Sequence, residues 1–244
     1  MKPFLLIATR AEDDTADGEY EQILRFGNLD EKDLVRIRLE AAPMPDLNLD
    51  DYSGVIVGGS PFTGSDPIEK KTETQLRVEA EISTLLDEIV PRDFPFLGAC
   101  YGVGTLLGHQ GAVIDSTYSE PVGGVTIKLT EEGKKDPLLA DIPDSFGAFV
   151  GHKEAVTVFP AHAVLLASSD TCPVQMFRIK ENLYGTQFHP ELDAPGIAQR
   201  IRTYKNSGYF EPEEADTLIE QTAQWDVSDA NRVVAAFTAR YATD

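Results

Sequence analysis

Residues 94–102, FPFLGACYG, form an apolar run that ends in small residues around Cys100. Such a run is typical of a buried strand that turns sharply into a helix. The neighbours Gly98, Ala99 and Gly102 matter because a nucleophile on this kind of turn has a strained backbone, which leaves no room for bulky side chains. The stretch therefore predicts a strand–turn–helix unit of an α/β fold and marks Cys100 as a candidate nucleophile.

Other runs extend this unit into a sheet. FLLIAT at 4–9 and GVIVGG at 54–59 read as parallel strands covered on both faces, and VRIRLE at 35–40 reads as a more alternating neighbour. The clearest helix is predicted from Lys70 to Val90, with its end at Pro91. Alternating strands and helices predict an open, mostly parallel, flavodoxin-like sheet with helices on both faces, and sites of such sheets lie at the carboxyl ends of the strands.

The second half of the chain has a different pattern. Residues 122–188 contain several runs of period two, such as VTIKL, AVTVF, VQMFRI and LYGTQF, which predict added antiparallel strands. From Ala194 onward the pattern predicts helices. A chain of 244 residues can form one large domain or at most two small ones. We expect a single domain over 1–244, with a motif-bearing core at about 50–205 and a C-terminal helical extension at about 206–244.

Composition narrows the partners and the compartment. The chain has 21 basic and 41 acidic residues, a net charge of −20. A surface this negative repels phosphate backbones and anionic lipids, so we expect no nucleic acid and no membrane as partner. We find no apolar stretch of membrane-spanning length and no signal peptide at the start. Two cysteines form no disulfide framework, and a cytoplasmic location would keep a nucleophilic thiol reduced.

A second motif supplies a base for the thiol. GTQFHPE at 185–191 contains His189 and Glu191, which share one face of an extended segment with alpha carbons roughly 7 Å apart. Pro190 biases His189 towards extended geometry. The carboxylate can then accept a hydrogen bond from one imidazole nitrogen and leave the other free to serve Cys100, which is the logic of a catalytic triad.

The remaining candidates are weaker. His109 and His162 are expected to be structural or solvated, and His152 is either a strand-end residue or a pocket-lining one. Cys172 is expected to pack in a strand. The glycines of GSPFTGSD at 59–66 lack the Lys and Ser or Thr of a phosphate-binding loop. No histidines and cysteines stand at metal-ligand spacing, so we expect neither a metal nor a cofactor.

Four motifs together resemble those of the class I, triad-type glutamine amidotransferases. They are GGSP at 58–61, GACYG at 98–102, GHKEAV at 151–156 and GTQFHPE at 185–191. The resemblance extends over roughly residues 50–205 and is to the glutaminase portion of GMP synthase and to free-standing relatives. The cysteine turn combined with the HPE segment is its specific part.

The resemblance implies roles for individual residues. Cys100 is expected to be the nucleophile, His189 the general base and acid, and Glu191 its orienter, with the amides of Gly59 and Tyr101 forming the oxyanion hole. The following helix and His189 are expected to favour the thiolate. The implied reaction hydrolyses the side-chain amide of glutamine through a γ-glutamyl thioester. Because the chain has no ATP-binding motif, the ammonia would pass to an ATP-dependent synthase on another polypeptide.

The chain departs from the family pattern at the expected substrate pocket, for which Gly58, Gly104, His152, Lys153 and Glu154 are the candidate residues. Gly104 stands where family members commonly carry a Gln that holds the substrate. Lys153 and Glu154 replace Gly and Asp in a His-Gly-Asp segment. We hypothesise that Lys153 or Glu154 replaces lost contacts to the amino acid head group.

Two alternative functions stay open at this point. A γ-glutamyl peptidase or hydrolase would use the same triad and need no ammonia tunnel, and Gly104 favours it mildly. A non-catalytic member would bind a partner or a small ligand through the old pocket. The presence of Cys100, His189 and Glu191 together argues against this last reading.

Overall fold

The structure, a computed structural model, describes all 244 residues. Its strands follow in chain order: β1 (Phe4–Ala8), β2 (Leu34–Arg38), β3 (Gly54–Val57), β4 (Phe96–Ala99), β5 (Val113–Asp115), β6 (Glu120–Leu129), β7 (Ser145–His152), β8 (Ala155–Val158), β9 (Ala163–Ser168), β10 (Met176–Ile179) and β11 (Leu183–Thr186). The α-helices are α1 (Asp13–Phe26), α2 (Glu73–Arg92), α3 (Tyr101–His109), α4 (Ala194–Thr203), α5 (Ala215–Thr222) and α6 (Ser228–Tyr241).

Nine of the strands form one sheet in the order β2-β1-β3-β4-β11-β10-β9-β6-β7. The first five are parallel to one another, and their order is that of flavodoxin-like sheets. The remaining four are added by antiparallel pairing. Strands β5 and β8 pair separately. The predicted fold class is therefore confirmed, including the antiparallel addition.

The apolar pattern explains why the parallel strands lie at the centre. Every residue of β1 is buried, and its side chains alternate between two cores. Phe4 and Leu6 face a core that includes Phe237 of α6. Leu5 and Ile7 face the other core, which α2 and α3 complete. Each fully buried side chain of this kind contributes roughly 1.5–3 kcal/mol, so helices on both faces are needed to stabilise the sheet.

Helix α2 differs from the prediction at both ends. It begins later than expected, at Glu73, because the Thr72 hydroxyl accepts a hydrogen bond from the Gln75 N–H and caps the first turn. Pro91 does not end it but lies inside the last turn. The helix ends at Arg92, because the next residue, Asp93, has a φ of 50° in the left-handed region.

The C-terminal segment is helical as predicted. The apolar stripe of α6 is buried, and Val233 and Phe237 join the core on the α1 side of the sheet. Cys172, in contrast, lies in the irregular segment between β9 and β10 and not in a strand, and its Sγ donates to the carbonyl oxygen of Val174 at 3.6 Å. None of the helices combines the length and the apolar character that crossing a bilayer requires.

The topology brings four chain segments to one edge of the sheet. Strands β1, β3, β4 and β11 are neighbours and run parallel, so their carboxyl ends lie side by side. Arg10 follows β1, Gly59 follows β3, Cys100 follows β4 and His189 follows β11. Residues far apart in the sequence therefore meet where open α/β sheets place their sites.

Candidate active site

Cys100 occupies a strained turn between β4 and α3. Its φ of 52° and ψ of −90° are unusual for a residue with a side chain. The turn is tight because β4 and α3 approach closely: a Cβ on Gly98 would lie 2.7 Å from the backbone of Gly102. The N–H of Cys100 donates to the Thr186 carbonyl oxygen at 2.7 Å, which ties the turn to β11. The backbone thus holds the thiol at the edge of the sheet.

His189 is oriented by Glu191, but through a turn and not through an extended strand. The imidazole Nδ1 and the Glu191 Oε1 are 2.7 Å apart. The N–H of Leu192 donates to the His189 carbonyl oxygen at 3.4 Å, with Pro190 at the second position of this turn, which proline favours. The expected extended geometry is therefore wrong here. Backbone pairing with Phe149 fixes the position of His189.

A buried network of charges lies behind His189. Arg200 donates to Glu191 Oε1 at 2.9 Å and to Glu19 Oε1 at 3.2 Å. Arg10 donates to the same oxygen of Glu19 at 3.2 Å. A second nitrogen of Arg200 lies 3.0 Å from His189 Nδ1. When Nδ1 donates to Glu191 it cannot also accept a hydrogen bond from Arg200, so the guanidinium cation disfavours the protonated imidazole.

This network of charges determines the protonation states of His189 and Glu191. Burial lowers the pKa of His189 and the cations of Arg200 and Arg10 lower it further, whereas Glu191 raises it. For Glu191, burial opposes ionisation, but His189 and Arg200 bring the pKa of this carboxyl well below its usual range. At neutral pH, Glu191 is therefore a carboxylate and His189 is a neutral imidazole able to accept a proton.

The thiol of Cys100 has a pKa opposite to the expectation. Burial raises it to about 12, an effect that Arg10 and Arg200 oppose. The hydrogen bond to its Sγ comes from the side-chain amide of Gln187 at 3.9 Å, and none comes from His189. The thiol is thus protonated at neutral pH, because burial outweighs the neighbouring cations. Its ionisation requires transfer of the proton to a base.

We expect the alkylation of Cys100 by iodoacetamide to accelerate about tenfold per pH unit from about pH 7 to pH 10, since only the thiolate reacts. The measurement is the second-order rate constant in a Cys172→Ser background. This background is suitable because Cys172 is fully buried and a hydroxyl can keep its hydrogen bond. A plateau already reached below about pH 8 would contradict the protonated thiol.

Two cavities meet at Cys100. One extends towards the turn between β7 and β8. The other extends towards α4 and contains His189, Arg10 and Arg200. Cys100 lines both. The structure therefore brings the predicted nucleophile and the predicted base to a common cavity.

Four of the predicted substrate residues line the first cavity: Gly104, His152, Lys153 and Glu154. The Glu154 carboxylate accepts the backbone N–H groups of Gly64 at 2.9 Å and Ser65 at 2.7 Å. It also lies opposite Gly104, where an added Cβ would be 3.6 Å from its Oε1. Gly58 lies elsewhere, against the Glu19 carboxylate, and lines neither cavity.

The two expected oxyanion-hole residues lie on adjacent turns. Gly59 packs so closely that an added Cβ would lie 2.7 Å from the His189 ring and 2.6 Å from Arg10 Nη2. Its N–H donates to no protein acceptor. Tyr101 is the first residue of α3, so its N–H has no acceptor within the helix. Both amides are available to a ligand oxygen.

Glu120, His152 and Cys172 have possible metal-ligating atoms within 4.8 Å of one another. The oxygens of Glu120 accept hydrogen bonds from His152 Nε2 at 2.8 Å, from Gln175 Nε2 at 2.7 Å and from Thr171. Burial opposes ionisation of Glu120, but these hydrogen bonds lower the pKa of its carboxyl. Because protein donors engage the carboxylate, the cluster is a hydrogen-bonded support for the end of β7.

Sequence reasoning did not identify Arg10, Glu19, Arg200 or Tyr209 as site residues. Arg10 had a signal, because it directly follows a predicted strand at the carboxyl edge of the sheet. Glu19 and Arg200 lie within helices and carry no local motif. Tyr209 lies in the segment between α4 and α5 and reaches Cys100 only through tertiary packing.

Comparison with known proteins gives consistent results. The family model "Glutamine amidotransferase class-I" matches residues 29–198. A glutamine-hydrolysing GMP synthase of Marinobacter nauticus is 30% identical over 178 residues, which are 68% of this chain and 31% of that protein. One of the subunits of the glutamine-hydrolysing GMP synthase of Thermoplasma volcanium is 28% identical over 159 residues, 65% of this chain and 71% of the relative.

Solved structures share the fold. A glutamine amidotransferase from Thermotoga maritima superposes with a TM-score of 0.77 at 23% identity, covering 99% of this chain and 98% of that one. A glutamine amidotransferase from Methylobacillus flagellatus gives a TM-score of 0.71 at 20% identity, covering 99% and 94%. By contrast, the match spans less than a third of the length of the Marinobacter GMP synthase.

Proposed function

This chain belongs to the class I glutamine amidotransferases, and from that premise we propose that it hydrolyses the side-chain amide of glutamine with Cys100, His189 and Glu191 as its triad. The observation that carries the proposal is the position of Cys100 on a strained strand-to-helix turn, in a cavity that also contains the Glu191-oriented His189. A thiol and a carboxylate-oriented imidazole in one cavity are the parts from which a covalent hydrolase builds its nucleophile–base–orienter relation, and this supports the proposal.

In the first step, the Cys100 sulfur attacks the side-chain carboxamide carbon of glutamine while His189 accepts the thiol proton. Glu191 stabilises the imidazolium that forms. The negative charge that develops on the amide oxygen is accepted by the N–H groups of Gly59 and Tyr101. Each such donor is typically worth about 10²–10³ in rate.

The tetrahedral intermediate then collapses. His189 returns its proton to the leaving nitrogen, the carbon–nitrogen bond breaks, and ammonia leaves a γ-glutamyl thioester on Cys100. Water, deprotonated by His189, attacks the thioester and releases glutamate with the thiol restored. Because this chemistry needs a reduced thiol, the proposal includes a cytoplasmic location.

Recognition of the glutamine head group is assigned to the first cavity. Glu154 is the anionic group nearest to Gly104 there, and an ammonium group of the substrate would be its natural partner. Lys153 and His152 line the same cavity. Glu154 thus takes over part of the task that the missing side chain at position 104 performs in related sequences.

The ammonia acceptor is assigned to another polypeptide. The Thermoplasma volcanium relative is by its name one subunit of a glutamine-hydrolysing GMP synthase, and the match spans 71% of it. By that likeness we propose an ATP-dependent synthase as the partner of this chain. Recovery of such a synthase with the tagged protein supports the assignment. Failure to recover it from cells that express one contradicts the assignment.

A γ-glutamyl hydrolase is the second candidate. Gly104 has no side chain to hold the glutamine head group, and this mildly favours a substrate that is bound by more than its head group. Gly104 and Glu154 also line a groove outside the first cavity, together with Gly108. The thiol chemistry would be the same, with an amine as leaving group in place of ammonia.

An assay with purified protein separates these candidates. We expect glutamate and ammonia to form from glutamine, with a kcat/KM above that for γ-glutamyl dipeptides. The readout is glutamate release from each substrate at equal concentrations. Activity on the dipeptides alone would replace the first candidate by the second, and inertness towards both would contradict the two together.

A further inference from the structure

Tyr209 separates the active-site cavities from an outer groove. It lines both cavities that meet at Cys100. It also lines an outer groove, together with Ser119, Pro121 and Gly208. No other residue lines all three spaces. Tyr209 therefore forms part of the wall between Cys100 and this groove, together with His152 and Lys153, which line the first cavity and the groove.

Lys153 contacts the Tyr209 ring and the segment that carries it. Lys153 Nζ lies 4.3 Å from the centre of the Tyr209 ring and donates to the Ser207 carbonyl oxygen at 2.8 Å. The Tyr204 ring is a more distant neighbour, with the two ring centres 6.4 Å apart. Gly208 has a φ of 74°, which suits glycine, and the Tyr209 hydroxyl makes no hydrogen bond within the protein. Lys153 thus contacts both the Tyr209 ring and the backbone just before it.

Hydrogen bonds of the neighbouring His152 hold the turn that carries Lys153. The preceding residue, His152, is buried, and its two ring nitrogens contact the Glu154 carbonyl oxygen at 2.9 Å and the Glu120 carboxylate at 2.8 Å. The turn that carries Lys153 is therefore fixed on both sides. The lysine at position 153, where the family motif has glycine, therefore makes contacts with the Tyr209 segment that a glycine could not make.

From this arrangement we infer that Tyr209 is a specificity-determining residue that limits the size of the leaving group. The inference rests on the proposed function. The leaving amine must depart near His189, which protonates it, and Tyr209 borders the cavity that contains His189. Ammonia fits beside the ring. A larger amine must displace Tyr209 towards the outer groove, so the site selects primary amides over N-substituted γ-glutamyl amides.

The test compares kcat/KM for glutamine and for γ-glutamyl-p-nitroanilide. Tyr209→Ala is expected to raise the anilide-to-glutamine ratio at least tenfold, and Lys153→Met to raise it in the same direction because it releases the ring. Tyr209→Phe is expected to keep the wild-type ratio, since the ring and not the hydroxyl forms the wall. Tyr118→Ala, at an exposed tyrosine outside the site, is the matched control. An unchanged ratio in Tyr209→Ala overturns the inference.

A second readout does not depend on amide hydrolysis. In a Cys172→Ser background, Cys100 is alkylated with iodoacetamide and with N-phenylmaleimide, and the ratio of the two rates is measured. Tyr209→Ala is expected to favour the bulkier reagent at least tenfold. If this ratio changes while no variant hydrolyses either amide, the proposed function is contradicted, and the restriction of access by Tyr209 is supported. If glutamine is hydrolysed and the alkylation ratio is unchanged, the restriction by Tyr209 is contradicted, and the proposed function is supported.

Discussion

Replacing Cys100 with serine is expected to lower kcat for the proposed glutamine hydrolysis by about 10⁴- to 10⁶-fold, the range for removal of the nucleophile of a triad. A serine hydroxyl is a much weaker nucleophile than a thiol, and its proton is harder for His189 to accept. The φ of 52° at this position is retained because the replacement changes one atom and not the backbone. The measurement is single-turnover and steady-state release of ammonia.

The chain provides its own control for this prediction. Cys172 is the only other cysteine, is fully buried and lies outside both cavities at Cys100. Cys172→Ser is expected to retain turnover close to that of the wild type. Thermal unfolding of both variants shows whether the fold is intact. Substantial turnover by a folded Cys100→Ser variant would assign the nucleophile to another residue.

Replacing Glu19 with glutamine has the largest expected effect on stability. The Glu19 side chain is fully buried and accepts hydrogen bonds from Arg10 and from Arg200, both at 3.2 Å. An amide keeps the shape but removes the charge that balances the two cations. Breaking a buried ion pair by removing one partner typically costs about 3–5 kcal/mol. The free energy of unfolding, measured by urea titration, is therefore expected to fall by about 3 kcal/mol or more.

Glu21, on the same helix α1, is the matched control because its side chain is exposed. Glu21→Gln is expected to change the free energy of unfolding by less than about 0.5 kcal/mol. The two variants remove the same charge from the same helix, so the overall charge effect cancels between them. Equal stabilities of the two variants would show that Glu19 does not stabilise the arginines behind His189.

Local sequence patterns were sufficient to predict the central sheet and the strand-to-helix turn at Cys100. The parallel strands are continuous apolar runs because both of their faces are buried, and this pattern is visible without tertiary information. The turn at Cys100 requires small residues at Gly98 and Gly102, and the sequence supplies them. The same logic places the loops after the strands at one edge.

Tertiary packing determines the features that the sequence did not reveal. Glu19 and Arg200 become neighbours only when α1 and α4 pack together, and each reads locally as a polar helix residue. The segment of Pro190 and Glu191 was expected to be extended, whereas tertiary context favours a turn. The ionisation of Cys100 depends on burial, which local sequence does not determine.

The central claim is that the Cys100 sulfur attacks a γ-glutamyl carbon with the help of His189. A chloroketone analogue of glutamine, in which the side-chain amide is replaced, tests it most directly by mass spectrometry of the labelled peptides. We expect one label per chain, on the peptide containing Cys100, formed much more slowly in a His189→Ala variant. Labelling of another residue, or continued ammonia release from glutamine by protein fully labelled at Cys100, would contradict the account.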